Sequence, residues 1–215
     1  MVRREKGDDA VKRTTARGRA RTGLALGAAV TAAALCAPAA AAAPAAADPA
    51  RAPLPRTCPY AYFDLGETLI HTAEDGSTDY RPGARAHLRA LRERHIKVGL
   101  ITNVPPAWGA TDAERAARLK KEVDATWKGS VPFAWEDFGD RVHTPRTEAE
   151  RKPAPALWQR AKKASGRCVV VHQAETAEEV RAAAAQGYVA YQVHRPLRPR
   201  FLPVPVIELL GLARG

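Results

Sequence analysis

Aromatic residues are scarce in this chain, 6% of 215 residues, and the first 50 residues contain none. A core needs large apolar side chains, so the folded part must lie further along. The remaining length suits one α/β domain rather than two. Cysteine is equally sparse. Three residues exclude a disulfide-dense scaffold and a four-cysteine zinc site. Zinc-finger spacing and a glycine-aromatic RNA-binding signature are absent as well, so the formal charge of +11 does not mark a dedicated nucleic-acid binder. Part of that charge sits in the head of the chain. Residues 1–47 carry eight Lys/Arg against three Asp/Glu, leaving 26 against 20 for the rest. An anion-binding face on that remainder stays open as a reading.

Charge is missing altogether from residues 22–47, which come after a basic leader. The most apolar part, 24–36, is shorter than the roughly 20 residues of a membrane-spanning helix. Pro38 and Pro44 interrupt the Ala-rich stretch beyond it, and Ala45-Ala46-Ala47 offers the small-x-small pattern of signal peptidase. The stretch 1–47 therefore reads as a secretory signal peptide, with an uncleaved Ala-rich anchor as the other reading. Cys36 is preceded by Leu35 rather than by a small residue, against a lipoprotein site. Export would leave no stable membrane span. A Pro-rich spacer, 48–59, leads into a domain over 60–215.

Within that domain, 60–63 is a short apolar run suited to a buried strand. Residues 81–95 repeat apolar side chains at helical spacing (Ala84, Leu88, Leu91) behind Pro82. A second strand is expected over 96–102. Thr111-Asp-Ala-Glu114 is a capping-box pattern opening a helix to about Thr126, and 131–135 reads as a third strand. Further helices are expected over 153–164 and 177–186, with strands at 168–172 and 189–193. Strands alternating with helices imply a three-layer, Rossmann-like fold: a parallel sheet with helices on both faces. Function in such sheets concentrates at the carboxyl ends of the strands.

Those ends carry Phe63-Asp-Leu-Gly-Glu-Thr-Leu69, then Leu100-Ile-Thr-Asn103, and later Ala174-Glu175, with Lys152-Pro153 opening the helix before the 168–172 strand. In this order the chain resembles the haloacid dehalogenase (HAD)-like hydrolase superfamily, over roughly residues 58–195. The resemblance implies Mg²⁺-dependent phosphatase chemistry on a phosphorylated substrate. Asp64 is then the nucleophile that forms an aspartyl-phosphate. Thr102, Asn103 and Lys152 are the phosphate-binding residues, with Thr102 and Lys152 also catalytic, and Asp64, the Gly66 carbonyl and Glu175 hold the metal. Two positions depart from the family pattern. Gly66 stands where family phosphatases place a general acid, and Ala174 replaces one acid of the fourth motif. The chemistry is thus impaired or specialised, and a catalytically inactive binding or structural module is the competing reading. Glu67 occupies a usual glycine position, with its side chain expected to point elsewhere.

Only a short loop and one helix are expected between Thr68 and Ile96, and 48 residues separate Asn103 from Lys152. The resemblance is therefore to the capless subgroup, with no large cap domain. His172 reads as a satisfied histidine at a strand end rather than a ligand; the other histidines show no metal-like spacing. The four tryptophans read as packing residues. Signal removal would leave Cys58 and Cys168. In HAD-like sheets the strands of motifs one and four are parallel neighbours, and each cysteine lies six residues before its motif. The resemblance thus implies a disulfide between them, the alternative being two buried free thiols.

Overall fold

The computed structural model describes residues 58–212. The expected signal peptide, its cleavage site and most of the spacer lie outside the described residues.

Five parallel strands form the main sheet, in the order β5-β4-β1-β6-β7. They are β1 (Pro59–Phe63), β4 (Lys97–Ile101), β5 (Val142–His143), β6 (Val169–Ala174) and β7 (Val189–Gln192). The two-residue period of β1 divides its side chains between two cores. Ala61 and Phe63 face a cluster that includes Leu88 and Leu91 of α1 (Ala84–Glu93), Leu119 and Val123 of α2 (Asp112–Thr126) and Ile207 of α5 (Val204–Leu212). Tyr60 and Tyr62 face a second cluster with Leu157, Trp158 and Ala161 of α3 (Ala156–Ala164) and Ala183 of α4 (Ala177–Ala185). Helices thereby cover both faces of a parallel sheet.

Gly99 of β4 is dictated by Tyr62. A Cβ there would lie 2.4 Å from the Tyr62 ring and 2.8 Å from the Arg141 carbonyl oxygen. The space it leaves lets the Tyr62 hydroxyl sit 2.9 Å from Ser165 Oγ and donate to the Ala161 carbonyl at 3.2 Å.

Three features differ from the sequence expectation. Residues 131–135 form no strand. Pro132 offers no N–H to a ladder, and Phe133 is instead buried among rings, stacked on Tyr80 at 5.3 Å and on Phe138 at 5.7 Å. The outer strand is β5, only two residues long. Second, the stretch after Asp64 holds an antiparallel hairpin, β2 (Ile70–Thr72) with β3 (Thr78–Tyr80), in place of the expected loop. Third, α5 covers β1 at the end of the chain. Its sequence is apolar nearly throughout, so no helical stripe announces it. The remaining expected elements are present with ends shifted by up to three residues; β6 runs on to Ala174, two residues past its expected end. The α2 capping box forms as read, Glu114 N–H donating to Thr111 Oγ1 at 3.1 Å. Trp158 is fully buried, and Trp108, Trp127 and Trp135 pack against the first core.

Strands β1 and β6 are in register from Pro59↔Val169 to Phe63↔Gln173. One step toward the amino end, the same register sets Cys58 beside Cys168. They form a disulfide with a Cα separation of 4.7 Å. The bridge closes a loop of 110 residues, which in the chain-entropy account contributes about 4–5 kcal/mol. Reduction, or Cys58→Ser with Cys168→Ser, is therefore expected to lower the unfolding temperature by roughly 10 °C. Scanning calorimetry with and without reductant checks it, and an unchanged midpoint would remove the bridge from the account of stability.

His87 sits between Phe63 and Phe201, stacked on the latter at 4.8 Å. Burial pushes its imidazole down to about 4. The unfolded chain takes up the proton first, so stability is complete above about pH 6.5 and falls as pH drops toward 4. His87→Phe should flatten stability against pH between 6.5 and 4, measured by urea unfolding; an unaltered slope would assign the acid sensitivity elsewhere.

Candidate functional site

The carboxyl ends of β1, β4 and β6 meet at one place. Asp64 comes directly after β1, Thr102 and Asn103 after β4, and Glu175 after β6. Lys152 reaches them from the loop before α3. All of the expected site residues are thus gathered at one end of the sheet, opposite the disulfide.

Lys152 is the centre of the arrangement, and its side chain is 1% exposed. Its Nζ donates to Asp64 Oδ1 at 2.6 Å and lies 2.7 Å from Glu179 Oε1. An ammonium cannot be buried without such partners. Burial would lower its proton affinity, but the two carboxylates outweigh that and hold it above the ordinary lysine value. Asn103 anchors the lysine main chain at both ends of the residue: its Nδ2 donates to the Lys152 carbonyl at 3.1 Å, and its Oδ1 accepts from Lys152 N–H at 2.9 Å. The Asn103 carboxamide, expected at a phosphate, therefore positions Lys152 instead.

Two carboxylates around one ammonium leave an excess negative charge. Burial pushes the Asp64 carboxyl up, Lys152 pulls it back and Glu179 adds repulsion, so Asp64 rests above the usual carboxylate range. Burial raises Glu179 too, yet the neighbouring His172 and Lys152 together outweigh it and hold Glu179 below the usual carboxylate range. Glu175 is raised by burial and by the charge of Asp64. Its Oε2 accepts from the Thr68 hydroxyl at 2.8 Å, and its own N–H donates to the same hydroxyl oxygen at 3.1 Å. Thr68, four residues after Asp64, so ties the motif-one turn to the end of β6.

Glu179 is the residue sequence reasoning missed. It lies in the first turn of α4, three residues after the N-cap Thr176, whose hydroxyl accepts from its N–H at 3.2 Å. That spacing was the available signal for its place in the helix. His172 is a correction: it lies within β6, is fully buried, and neither ring nitrogen has a hydrogen-bond partner among the described residues. Burial lowers its proton affinity, which keeps the imidazole neutral. The distance from its Nε2 to Glu179 Oε2, 3.9 Å, is too long for a hydrogen bond.

Glu67 turns away from the cluster, as expected. It accepts from Thr72 N–H at 3.0 Å and lies 2.9 Å from His71 and 3.2 Å from Arg81. At Gly66 there is open space: a Cβ would meet nothing within 4 Å.

Among the described residues no group of three or more His, Cys, Asp and Glu side chains is arranged to hold a metal ion. The expected set is smaller, two carboxylates and the Gly66 carbonyl. It fits a hard divalent cation in donor chemistry. Burial raises the proton affinity of both Asp64 and Glu175, and the neighbouring carboxylates add to it.

Replacing Lys152 by Met would leave Asp64 and Glu179 facing each other in a buried site. Removing one partner of a buried ion pair costs about 3–5 kcal/mol. In that variant both carboxyls bind protons more tightly folded than unfolded. Their contribution is then favourable at acid pH and lost as pH rises through the folded values. Lys152→Met should accordingly be strongly destabilised at pH 7 and much less so at pH 5. Denaturant titrations at the two values check this; an equal deficit at both would contradict the charge arrangement.

No protein-family model matches the chain, and no curated protein matches it. Solved structures similar to it include an L-2-haloacid dehalogenase, at 12% identity and a TM-score of 0.47 over 72% of this chain and 99% of that one. A protein from Mesorhizobium loti described as a HAD-like phosphatase matches at 15% identity and a TM-score of 0.43, covering 74% of this chain and 86% of that one. An uncharacterized protein from Listeria monocytogenes serotype 4b matches at 15% identity and 0.46, covering 72% and 98%. In strand order, and in bringing Asp64, Thr102, Lys152 and Glu175 together at one end of the sheet, the chain has the three-layer, Rossmann-like α/β fold expected from its sequence.

Proposed function

We propose that this chain is an extracytoplasmic, capless HAD-like phosphatase, able to accept a phosphoryl group but poorly equipped to move the protons of the reaction. The observation that carries the reading is the Lys152 Nζ to Asp64 Oδ1 contact of 2.6 Å in a buried site at the strand ends. Phosphoryl transfer asks mainly for positioning and neutralised charge. Asp64 would attack the phosphorus and become an aspartyl-phosphate, while Lys152 neutralises charge and the Thr102 hydroxyl donates to a phosphate oxygen. Mg²⁺ held by Asp64, the Gly66 carbonyl and Glu175 would offset the charge of the phosphate oxygens.

The leaving group must then collect a proton, and Gly66 has none to give. Glu67 is committed to His71, Thr72 and Arg81. Loss of such a group typically costs about 10²- to 10⁴-fold in rate. Substrates with good leaving groups, which need little protonation, suit the site best. The same commitment of Glu67 favours a second reading, a phosphate-binding module without turnover.

The capless reading is supported by residues 103–152, whose α2 and β5 pack into the domain itself. Secretion is supported by the disulfide, and no helix among the described residues is long and apolar enough to cross a membrane.

An aryl phosphate assay with Mg²⁺ tests the chemistry. Asp64→Asn should abolish turnover and Mg²⁺-dependent capture of beryllofluoride. Gly66→Asp places a carboxylate in open space and should raise the rate by about 10²-fold or more. Undiminished activity of Asp64→Asn would rule out the assignment. Beryllofluoride capture without turnover in either the native chain or Gly66→Asp would favour the binding module.

A further inference from the structure

A second feature opens beside the site at the same end of the sheet. The segment after β7 is closed into a loop by the His194 N–H, which donates to the Arg200 carbonyl at 3.1 Å. The His194 ring meets the Thr68 carbonyl through Nε2 at 3.1 Å, and Gln192 Nε2 donates to the Glu175 carbonyl at 2.8 Å. The loop is thus tied to both acidic arms of the site. Between it and the end of the hairpin lies a cleft of about 410 Å³ whose walls include Arg81, His194, Arg195, Arg198 and Arg200. A neighbouring cleft of about 360 Å³ shares Arg81 and Pro82 and adds Arg85, Arg89, which is paired with Glu93 at 3.7 Å, and one carboxylate, Asp79.

Like charges do not gather at this density without cost. Among the ion pairs of the described residues, Arg81 is held by Glu67 at 3.2 Å, and its Nε is buried without a partner. Arg195 and Arg200 are exposed, and the exposed Arg198 lies across the Tyr191 ring at the edge of the cleft. Burial lowers the proton affinity of His194, and Arg81 and Arg200 add to this against the Thr68 carbonyl, which favours the protonated ring. The loop is also held in a demanding shape, with positive φ at His194 (55°) and Leu197 (62°). Aromatic platforms for nucleobases are lacking. Tyr191 is covered by the Arg198 guanidinium, 4.7 Å from the ring centre, and Tyr80 is stacked on Phe133.

We propose that the arginine cleft binds the inner phosphates of an oligophosphate substrate, a run of contiguous phosphates whose terminal group enters the Asp64 site. The assignment of the terminal group rests on the phosphatase reading; the cleft itself stands on its own charge and shape. Arginine forks match phosphate oxygens through paired, charge-assisted hydrogen bonds, and the two adjoining clefts extend the path beyond one phosphate.

Calorimetric titration of the full chain with inorganic phosphate and with inorganic tripolyphosphate tests this. Tripolyphosphate should bind at least about tenfold more tightly. Arg195→Ala with Arg198→Ala should remove most of that margin, and Arg195→Glu should remove it as a single change. Arg118→Ala with Lys121→Ala, an equal loss of charge on α2 away from the cleft, should change it less than about twofold. Equal affinity for the two anions, or an equal loss from the α2 variant, would overturn the proposal. Tighter binding of an oligothymidylate of matched charge would overturn it in favour of a nucleic-acid surface. The readout is binding, so a chain without phosphatase activity still decides the matter. An active chain that binds tripolyphosphate no better than phosphate refutes the cleft and leaves the Asp64 reading in place.

Discussion

A lysine ammonium buried among carboxylates is the constraint on which the working end of this molecule depends. Lys152 can be withdrawn from water only because Asp64 and Glu179 meet it at 2.6 and 2.7 Å. Those partners come from the end of β1 and the start of α4, and the lysine itself is fixed by Asn103 from the end of β4. Three separate elements must therefore end at the same height for the charge to be tolerated. The arrangement carries one carboxylate more than it has ammonium groups, and Glu175 adds another. Burial lifts Asp64 and Glu175 above the usual carboxylate range, and this surplus of negative charge adds to the lift.

The β1–β6 pair serves both ends of the sheet. Its register sets Cys58 against Cys168 at the amino edge, and Asp64 N–H donates to the Gln173 carbonyl at 3.0 Å near the carboxyl edge. Because β1 is central and buried on both faces, a slip of one residue would send Phe63 into the tyrosine core and Tyr62 into the opposite one. It would also break the alignment of the disulfide. Stability and the geometry of the site are thus enforced by one strand pairing.

Around this rigid centre the chain adds its particular features in loops. The hairpin of β2 and β3 and the loop of residues 194–200 both attach to the motif-one turn, the first by continuity and the second through His194 and Thr68. Acidic groups occupy the centre of this end of the sheet and arginines its side. His172 remains a buried polar ring without hydrogen bonds beneath the cluster. It packs edge-on against Trp158 and Tyr188, and its neutrality keeps further charge away from Lys152.

The alternation of apolar strands with helical repeats determined the layered α/β fold, because period and length are local properties. A parallel sheet delivers its strand ends to one edge, which the sequence could announce for Asp64, Thr102 and Glu175; that Lys152 joins them, and that the strands behind Cys58 and Cys168 are neighbours, came from the family resemblance. Tertiary structure decided the rest. Phe133 left the strand pattern because an aromatic cluster offered it more burial than an edge strand around Pro132. The apolar stretch of α5 became a helix because β1 needed a cover. Glu179 joined the site because a buried ammonium required a second carboxylate, and Asn103 turned to the backbone of Lys152 rather than to a ligand. Arginines as far apart in sequence as Arg81 and Arg200 became one surface only when the chain folded. Hydrogen-bond partners and charge neighbours at long sequence separation are set by the packed layers, and no local pattern encodes them.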